Sequence, residues 1–412
     1  MKDGLVYPRE HTLGAITLVL GLIAWLLLIV GTIGIVLIYL LFIFLFYLFA
    51  QSALISWLRG NGVLLSAAQL PDLRARFDAC CDKLGMTEKP EAYLLQGGGM
   101  LNAFAARFIG RHYIVLLSDI VDAMDEHPDG INFYFGHELG HVRMKHLTGF
   151  LWRAPVLWLP LLGAAYSRAR EYTCDRHGRA CCETPESAAR ALVALAAGAE
   201  RWKQIDLGAY AEQAVLSRGF WMSYHELTGG YPWLTKRTLR LLEPDAAAPR
   251  RNGFAYLLAA FVPYAGRAGG AAGLLVLVAI IGIAAAIALP AYNDYQMRAR
   301  MIGAYMGSTP ARLALAEHIE SGKEPPASLA EVNIAPRLSD GSELSLDADD
   351  MTLTVATRKG SLVFSPRIKD GKVIWLCSGG EGVKQGQLPR GCRAEGSAID
   401  LAEEPPGSAP GR

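Results

Sequence analysis

The chain has no charge imbalance. Its 412 residues carry 40 Lys and Arg against 39 Asp and Glu, a net charge of +1. That removes the electrostatic case for nucleic acid as a partner. It also lacks the cysteine spacing of a structural zinc cluster. Of its seven cysteines, Cys80 and Cys81 are adjacent, Cys181 and Cys182 are adjacent, and Cys174 stands alone. Neighbouring cysteines rarely bridge each other, so these five read as reduced thiols, as in a cytoplasmic compartment. Charge is missing altogether from Leu13 to Leu58. Such a run is far longer than one bilayer span, and it lacks the flanks of a cleaved signal peptide.

The rest of the composition is hydrophobic, 52% of residues, gathered in blocks. Within the first block, Gly31-Thr32-Ile33-Gly34 divides two expected helices, roughly Leu13–Val30 and Ile35–Ile55. One long tilted span is the alternative, since glycine is common inside membrane helices. Ala271 to Ala291 is a second uncharged block and reads as one span. Phe254 to Ala265 contains Pro263, is too short to cross, and reads as interfacial. A further block, Leu147 to Tyr166, holds Arg153, Pro155 and Pro160.

His137-Glu138-Leu139-Gly140-His141 is an H-E-x-x-H motif. On a helix its two histidines lie one turn apart on one face and can share a Zn²⁺. Glu138 then stands where it can take a proton from the attacking water. The bland alternative is a surface helix with two solvated histidines. A catalytic zinc needs a third protein ligand, and Ser167 to Asp175 offers Glu171 with Asp175 four residues on. If Glu171 shares the metal, the Leu147–Tyr166 block cannot cross the membrane once. It must return, lie on the surface or pack inside, and its prolines and arginine favour the last two. His177 is another ligand by residue type. Asp175 could orient a histidine, donate a proton, or pair with Arg168, Arg170 or Arg176. His146, five residues after His141, points elsewhere on a helix and reads as a surface or supporting residue rather than a ligand.

Upstream, a helix is expected from Gln69 to about Leu84 and a strand over Glu91–Gln96. Asn102-Ala103-Phe104-Ala105 leads to a turn at Gly110 and a strand His112–Leu117. That last strand, beside the motif helix, would either offer an edge for a peptide substrate or serve only as sheet. Beyond the Ala271 span a helix should continue to His318, and short strands follow at Glu343–Leu346, Met351–Ala356, Ser361–Ser365 and Lys372–Leu376. Cys377 and Cys392 stand apart, in a loop whose closure would be worth about 3 kcal/mol. That points to an oxidising compartment, opposite the reduced thiols. Lys236, Arg237, Arg240, Arg250, Arg251 and Arg267 outnumber Arg298 and Arg300 across the Ala271 span, which puts the upstream part inside.

Residues from about 60 to 245 resemble the HtpX-like membrane zinc metallopeptidases, relatives of the CAAX prenyl endopeptidases. Asn102-Ala103-Phe104-Ala105, the H-E-x-x-H motif, and Ser167-Arg168-Ala169-Arg170-Glu171-Tyr172 with Asp175 carry the resemblance. It implies a mainly α, zincin-type (gluzincin) domain with a small β-sheet. One zinc per chain would be bound by His137, His141 and Glu171, with Glu138 as base and Asp175 as assisting acid. Asn102, Ala103, Phe104 and Arg237 would bind substrate, meaning proteins or peptides that include membrane or misfolded ones. Tyr231-Pro232 stands where that family usually has His-Pro, and Cys174 where it often has alanine. Residues from about 273 to 393 resemble type IV pilins. Val276 to Gly282 running into Ala288 to Tyr295 looks like the pilin helix, and Trp375-Leu376-Cys377 with Pro389-Arg390-Gly391-Cys392 like the pilin disulfide loop. The implied fold is α+β, a long helix on an antiparallel sheet, with a Cys377–Cys392 disulfide. Gly273 stands where pilins carry a glutamate, and the processing junction would be Ala268-Gly269.

The expected organisation is that of a multi-domain membrane protein. It comprises a membrane hairpin (1–59), the peptidase domain (60–245), a linker (246–270), a span (271–291), a pilin-like domain (292–397) and a disordered tail (398–412). The expected site is the cytoplasmic membrane, with the peptidase inside and the pilin-like domain in the periplasm, free to dock partners there.

Overall fold

A computed structural model describes residues 4–266 and 269–393, with Ala398–Ile399 as a further short strand. Ala268 of the expected processing junction and the tail from residue 400 lie outside the described residues. The chain divides into two compact units, Met1–Ala279 and Ile280–Arg412.

The first unit opens with α1 (Pro8–Gly31) and α2 (Ile35–Asn61). The turn between them holds Ile33 at φ 51° and Gly34 at φ 81°, so the run is two helices and not one tilted span. Glycine adopts that left-handed backbone without a Cβ clash. Strand β1 (Val63–Leu64) and helix α3 (Pro71–Lys83) come next, followed by β2 (Glu91–Leu95), β3 (Ala103–Phe108) and β4 (Arg111–Leu117). The sheet order is β1-β2-β4-β3, with β2 and β4 parallel and the outer pairs antiparallel. The strand expected to offer a free edge, His112–Leu117, is therefore interior. Residues Tyr113 to Leu117 are buried in succession, as a strand paired on both sides requires. The edge belongs to β3 instead.

Helices complete the unit: α4 (Ser118–Ala123), α5 (Asp129–Arg143), α6 (Phe150–Leu157), α7 (Leu162–Cys181), α8 (Pro185–Arg201), α9 (Leu207–Glu212), α10 (Phe220–Thr228), α11 (Leu234–Leu242) and α12 (Gly253–Ala259). Phe77, Phe133, Phe135, Leu139, Leu192 and Trp202 form their common core with the inner face of the sheet. The expected linker is packed rather than loose. Arg251 Nε donates to Glu226 Oε2 at 2.8 Å, and Ala255, Ala259 and Val262 bury against Tyr224 and Leu227 of α10.

The Leu147–Tyr166 block returns along α1. Trp25 Nε1 donates to the Leu151 carbonyl at 2.9 Å, and Tyr166 comes back to Gly14. At Gly21 the α6 backbone sits so close that any Cβ would strike the Trp152 carbonyl. Gly21 lies about 20 Å along α1 from its start, at 1.5 Å per residue. Phe150, Leu151, Trp152 and Trp158 nonetheless stay exposed, as do Val19, Leu22, Ile23 and Leu26 of α1.

Helix α13 (Gly269–Gly307), which begins before the second unit does, breaks at Ser308, one residue before α14 (Thr309–Glu320), which carries Pro310 in its first turn. Strands β5 (Glu343–Asp347), β6 (Thr352–Thr357), β7 (Gly360–Lys369), β8 (Lys372–Gly379) and β9 (Ala398–Ile399) form an antiparallel sheet in chain order. The first two residues of the expected disordered tail thus pair with the open edge of β8. Leu353, Phe364 and Trp375 are completely buried under α14 and the end of α13. Cys377 and Cys392 are bonded, while Cys80, Cys81, Cys174, Cys181 and Cys182 are buried free thiols. Three helical stretches, Pro8–Gly31, Ile35–Asn61 and Gly270–Glu320, are long and apolar enough to cross a membrane.

With α6 lying along α1 at that depth, Trp152 within it and Trp158 just past its end should touch lipid. Brominated phospholipid should quench the wild-type fluorescence more than that of the double variant Trp152→Phe, Trp158→Phe. Equal quenching would place α6 outside the bilayer.

Candidate metal centre

Helices α5 and α7 meet almost backbone to backbone. A Cβ at Gly136 would lie 2.7 Å from Cys181 Sγ and 2.8 Å from Gly178 Cα. At Gly140 it would lie 3.1 Å from His177 Cβ, and at Gly178 of α7 it would lie 2.7 Å from the Phe133 carbonyl. Small residues at these three places let the two motifs face each other. His137, Glu138 and His141 on α5 and Glu171 and Asp175 on α7 are all at most 8% exposed.

The ligating atoms converge. His137 Nε2 is 3.4 Å from Glu171 Oε2, and His141 Nε2 is 3.8 Å from Glu171 Oε1. Their metal-binding atoms lie within 4.8 Å of one another. On the far side of each ring, Nδ1 is held. His137 Nδ1 meets Asp175 Oδ1 at 3.0 Å, and His141 Nδ1 meets His146 Nδ1 at 2.9 Å. His137 must donate from Nδ1, because the Asp175 carboxylate only accepts. Its Nε2 is thereby turned toward Glu171. Two imidazole nitrogens and a carboxylate are the donor set a catalytic zinc uses, and the residues present fit that ion.

Asp175 is clamped from its other side. Arg237 of α11 donates from Nε to Oδ2 at 2.8 Å and from Nη2 to Oδ1 at 2.6 Å. Burial alone would raise the Asp175 pKa, but Arg237 and His137 outweigh it and hold it at about 2. The ion pair with Arg237 and the contact with His137 Nδ1 place Asp175 to orient that ring. Arg237 is directed to that same carboxylate. It is 6% exposed and spends its fork on Asp175 rather than facing substrate, because α11 packs across α7. His177 is not among the described residues whose ligating atoms converge, and its Nδ1 bonds the Thr173 carbonyl at 2.8 Å. Asn102, Ala103 and Phe104 line the start of β3. The Asn102 side chain accepts from the Ala103 N–H at 2.9 Å, and Ala103 and Phe104 pair with Leu116 and Val115. Among the described residues β3 pairs only with β4, so its outer edge is open to an added strand.

His146 is buried, not on the surface. Helix α5 ends at Arg143, and Lys145 takes φ 58°, which turns the chain back so that His146 meets His141. Its Nε2 bonds Glu10 Oε1 of α1 at 2.7 Å. The sequence reading missed Glu10. The available signal was a carboxylate, between Arg9 and His11, in the first turn of a helix that is apolar beyond them.

The electrostatics match a cation-binding pocket. Burial pushes the His137 pKa down, yet Asp175 and Glu171 overcome this and raise it to about 9. Glu171, despite burial, is lowered to about 2 by His137, His141 and Arg237. His141 is pushed well down by burial. A proton on His137 thus does in the metal-free protein what a cation would do.

These features define a metallopeptidase type of site, and comparison with known proteins agrees. The family model described as Peptidase family M48 matches residues 67–162. Part of the chain is also 32% identical, over 133 residues, to a protein of Eikenella corrodens called Fimbrial protein EcpC; the match covers 29% of this chain and 86% of that one. The chain thus contains a peptidase family M48 domain at residues 67–162, and over that second stretch it belongs to the family of the fimbrial protein. The M48 family consists of metallopeptidases that generally use zinc. No solved structure matches the chain. The M48 match takes in His137, Glu138, His141 and His146 but stops short of Glu171.

The pKa directions set a pH dependence. His137, raised above its ordinary 6.5 to about 9, stabilises the metal-free fold fully below pH 6.5, and that stability is lost as pH rises through 9. Glu171 and Asp175 work the other way, with stability lost as pH falls toward 2. Zinc uptake by metal-free protein at about pH 7 should therefore release about one proton. Calorimetry in two buffers of different ionisation enthalpy measures it, and zero release would show His137 already neutral.

Proposed function

We propose that the chain is a membrane-embedded zinc endopeptidase. The observation that carries this is the convergence of His137 Nε2, His141 Nε2 and Glu171, with both Nδ1 atoms already engaged behind them. Those three residues would hold one zinc. When bound, it supplies Lewis acidity toward the scissile carbonyl and makes the attacking water more acidic.

Glu138, beside His137 on α5, takes the proton of that water and passes it to the departing amine. Asp175 keeps the proton of His137 at Nδ1, and Arg237 keeps Asp175 ionised. The open edge of β3 receives the substrate in extended form, with backbone hydrogen bonds that read no side chain. Burial of the site keeps bulk water out. The membrane helices favour proteins in or near the bilayer as substrates.

We place the peptidase unit in the cytoplasm and the second unit in the periplasm. The buried free thiols on one side, the Cys377–Cys392 disulfide on the other, and the excess of Lys and Arg before the Ala271 span support this. The second unit we read as a pilin-like domain. Its helix-on-antiparallel-sheet arrangement and the fimbrial relative support that reading, with docking of periplasmic partners as its role.

Glu138→Gln tests the chemistry. Detergent-purified wild type and variant should hold equal zinc, and casein cleavage should fall by roughly 10²–10⁴-fold in the variant. Zinc held by both without cleavage by either would leave only a scaffold. Topology is tested with exposed positions, since the native free cysteines are buried and give little background. In intact cells an impermeant maleimide should label Ala348→Cys and spare Glu212→Cys; labelling of Glu212→Cys would sink the proposed orientation.

A further inference from the structure

Glu10 and His146 form a buried pair that the peptidase chemistry does not use. The His146 side chain is 2% exposed and that of Glu10 is 7%. They lie 136 residues apart in the chain and join at 2.7 Å. The pair continues to His141 at 2.9 Å, with Nδ1 facing Nδ1.

Hydrogen-bond accounting gives this chain of groups one consistent direction. The Glu10 carboxylate accepts from His146 Nε2–H. His146 Nδ1 then carries a lone pair and accepts from His141 Nδ1–H. His141 is left with its lone pair on Nε2, the nitrogen that faces Glu171. Remove Glu10 or His146, and His141 is free to carry its proton on Nε2 instead, where it blocks ligation.

We propose that Glu10, in the first turn of α1, is a positioning residue for the metal, acting through His146 to fix the His141 tautomer that offers Nε2. The inference rests on the zinc-site reading above. It makes a candidate membrane helix part of the metal centre, so that displacing the start of α1 loosens the metal. On the other face of the site Asp175 does the same for His137. The two histidines are thus oriented by separate elements, α7 and α1.

A rival use of the same atoms exists. His141, His146 and Cys174 also place ligating atoms within 4.8 Å of one another, with Cys174 Sγ 3.7 Å from His146 Nδ1. For His141 to serve two metals, both its ring nitrogens would have to lose their protons. An Nδ1 to Nδ1 separation of 2.9 Å is a hydrogen-bond distance, shorter than the roughly 3.3 Å between two nitrogens on a tetrahedral zinc.

The test is zinc affinity of the full chain in detergent, measured against a competing chelator, with the visible spectrum of the cobalt-substituted protein as second readout. Glu10→Ala and His146→Ala should each weaken metal binding roughly 10–100-fold and alter the cobalt spectrum. Glu10→Gln keeps an acceptor oxygen and should stay closer to wild type than Glu10→Ala. His146→Gln can accept from His141 and donate to Glu10, so it should restore most of the affinity. Where an alanine variant fails to fold, His146→Gln against the shorter His146→Asn carries the test, with Gln binding more tightly. Wild-type affinity and spectrum throughout the series would overturn the proposal while leaving the zinc site standing. No zinc on the wild type would overturn both. Two metals on the wild type and one on Cys174→Ala would also overturn it, by making His146 a ligand.

Discussion

The close approach of α5 and α7 is the constraint on which the rest of the first unit depends. Ligands on different helices converge only if their backbones come within reach, and here Gly136, Gly140 and Gly178 are what permits it. An added methyl at Gly136 or Gly178 would meet backbone atoms that cannot swing aside. The helices would have to part, and Glu171 would leave the two imidazoles. Such contacts also fill the interface to the density of a protein interior, so the glycines serve packing and chemistry through one geometric condition. The same condition sends the remaining faces of both helices outward, toward α1, α8 and α11, from which the supporting groups come.

Those supporting groups answer an electrostatic problem. Glu171 and Asp175 are buried a single helical turn apart, and two carboxylates in such a place repel each other unless cations intervene. Arg237 supplies one positive charge and is itself held protonated by Asp175 and Glu171 against the effect of burial. Protonated His137 supplies the second while no metal is bound. The four charges then cancel. Breaking the Asp175–Arg237 pair would leave a buried charge alone, at a cost of about 3–5 kcal/mol.

Much of this was legible in the sequence where it is local. The H-E-x-x-H spacing, Glu171 with Asp175 four residues on, the two N-terminal helices and the strands of the second unit all follow from periodicity or turn chemistry within a few residues. What was not legible depends on contacts across the chain. Nothing near Glu10 says that it will meet His146. The helical rule for His146 failed because α5 ends before it, and a left-handed Lys145 reverses the chain. Arg237 was expected to bind substrate through the family resemblance alone, and the packing of α11 on α7, a long-range contact, is what turns it to Asp175. The edge strand was misplaced because β3 and β4 both pattern as strands. Order within a sheet is decided by the parallel pairing of β4 with β2, which local sequence does not encode.

The boundary of the peptidase unit follows from the same long-range contacts. Ending the membrane part near residue 59 and starting the peptidase at residue 60 would separate Glu10 from His146 and strip α1 from α6. The Tyr7 amide donates to Thr173 Oγ1 at 3.0 Å, and Arg176 Nη1 donates to the Val6 carbonyl at 3.0 Å, so the segment before α1 is also bonded to α7. At the other end Glu226, fully buried, binds Lys236 at 2.6 Å and Arg251 at 2.8 Å. Cutting at residue 245 would remove one of its two cations. A fragment limited to residues 60–245 would therefore keep every candidate ligand and Glu138 and still lack the groups that hold them in register. The candidate ligand set is local to two helices, but its support reaches from the first turn of α1 to Arg251, and the smallest piece that keeps every supporting group includes a helix long and apolar enough to cross a membrane.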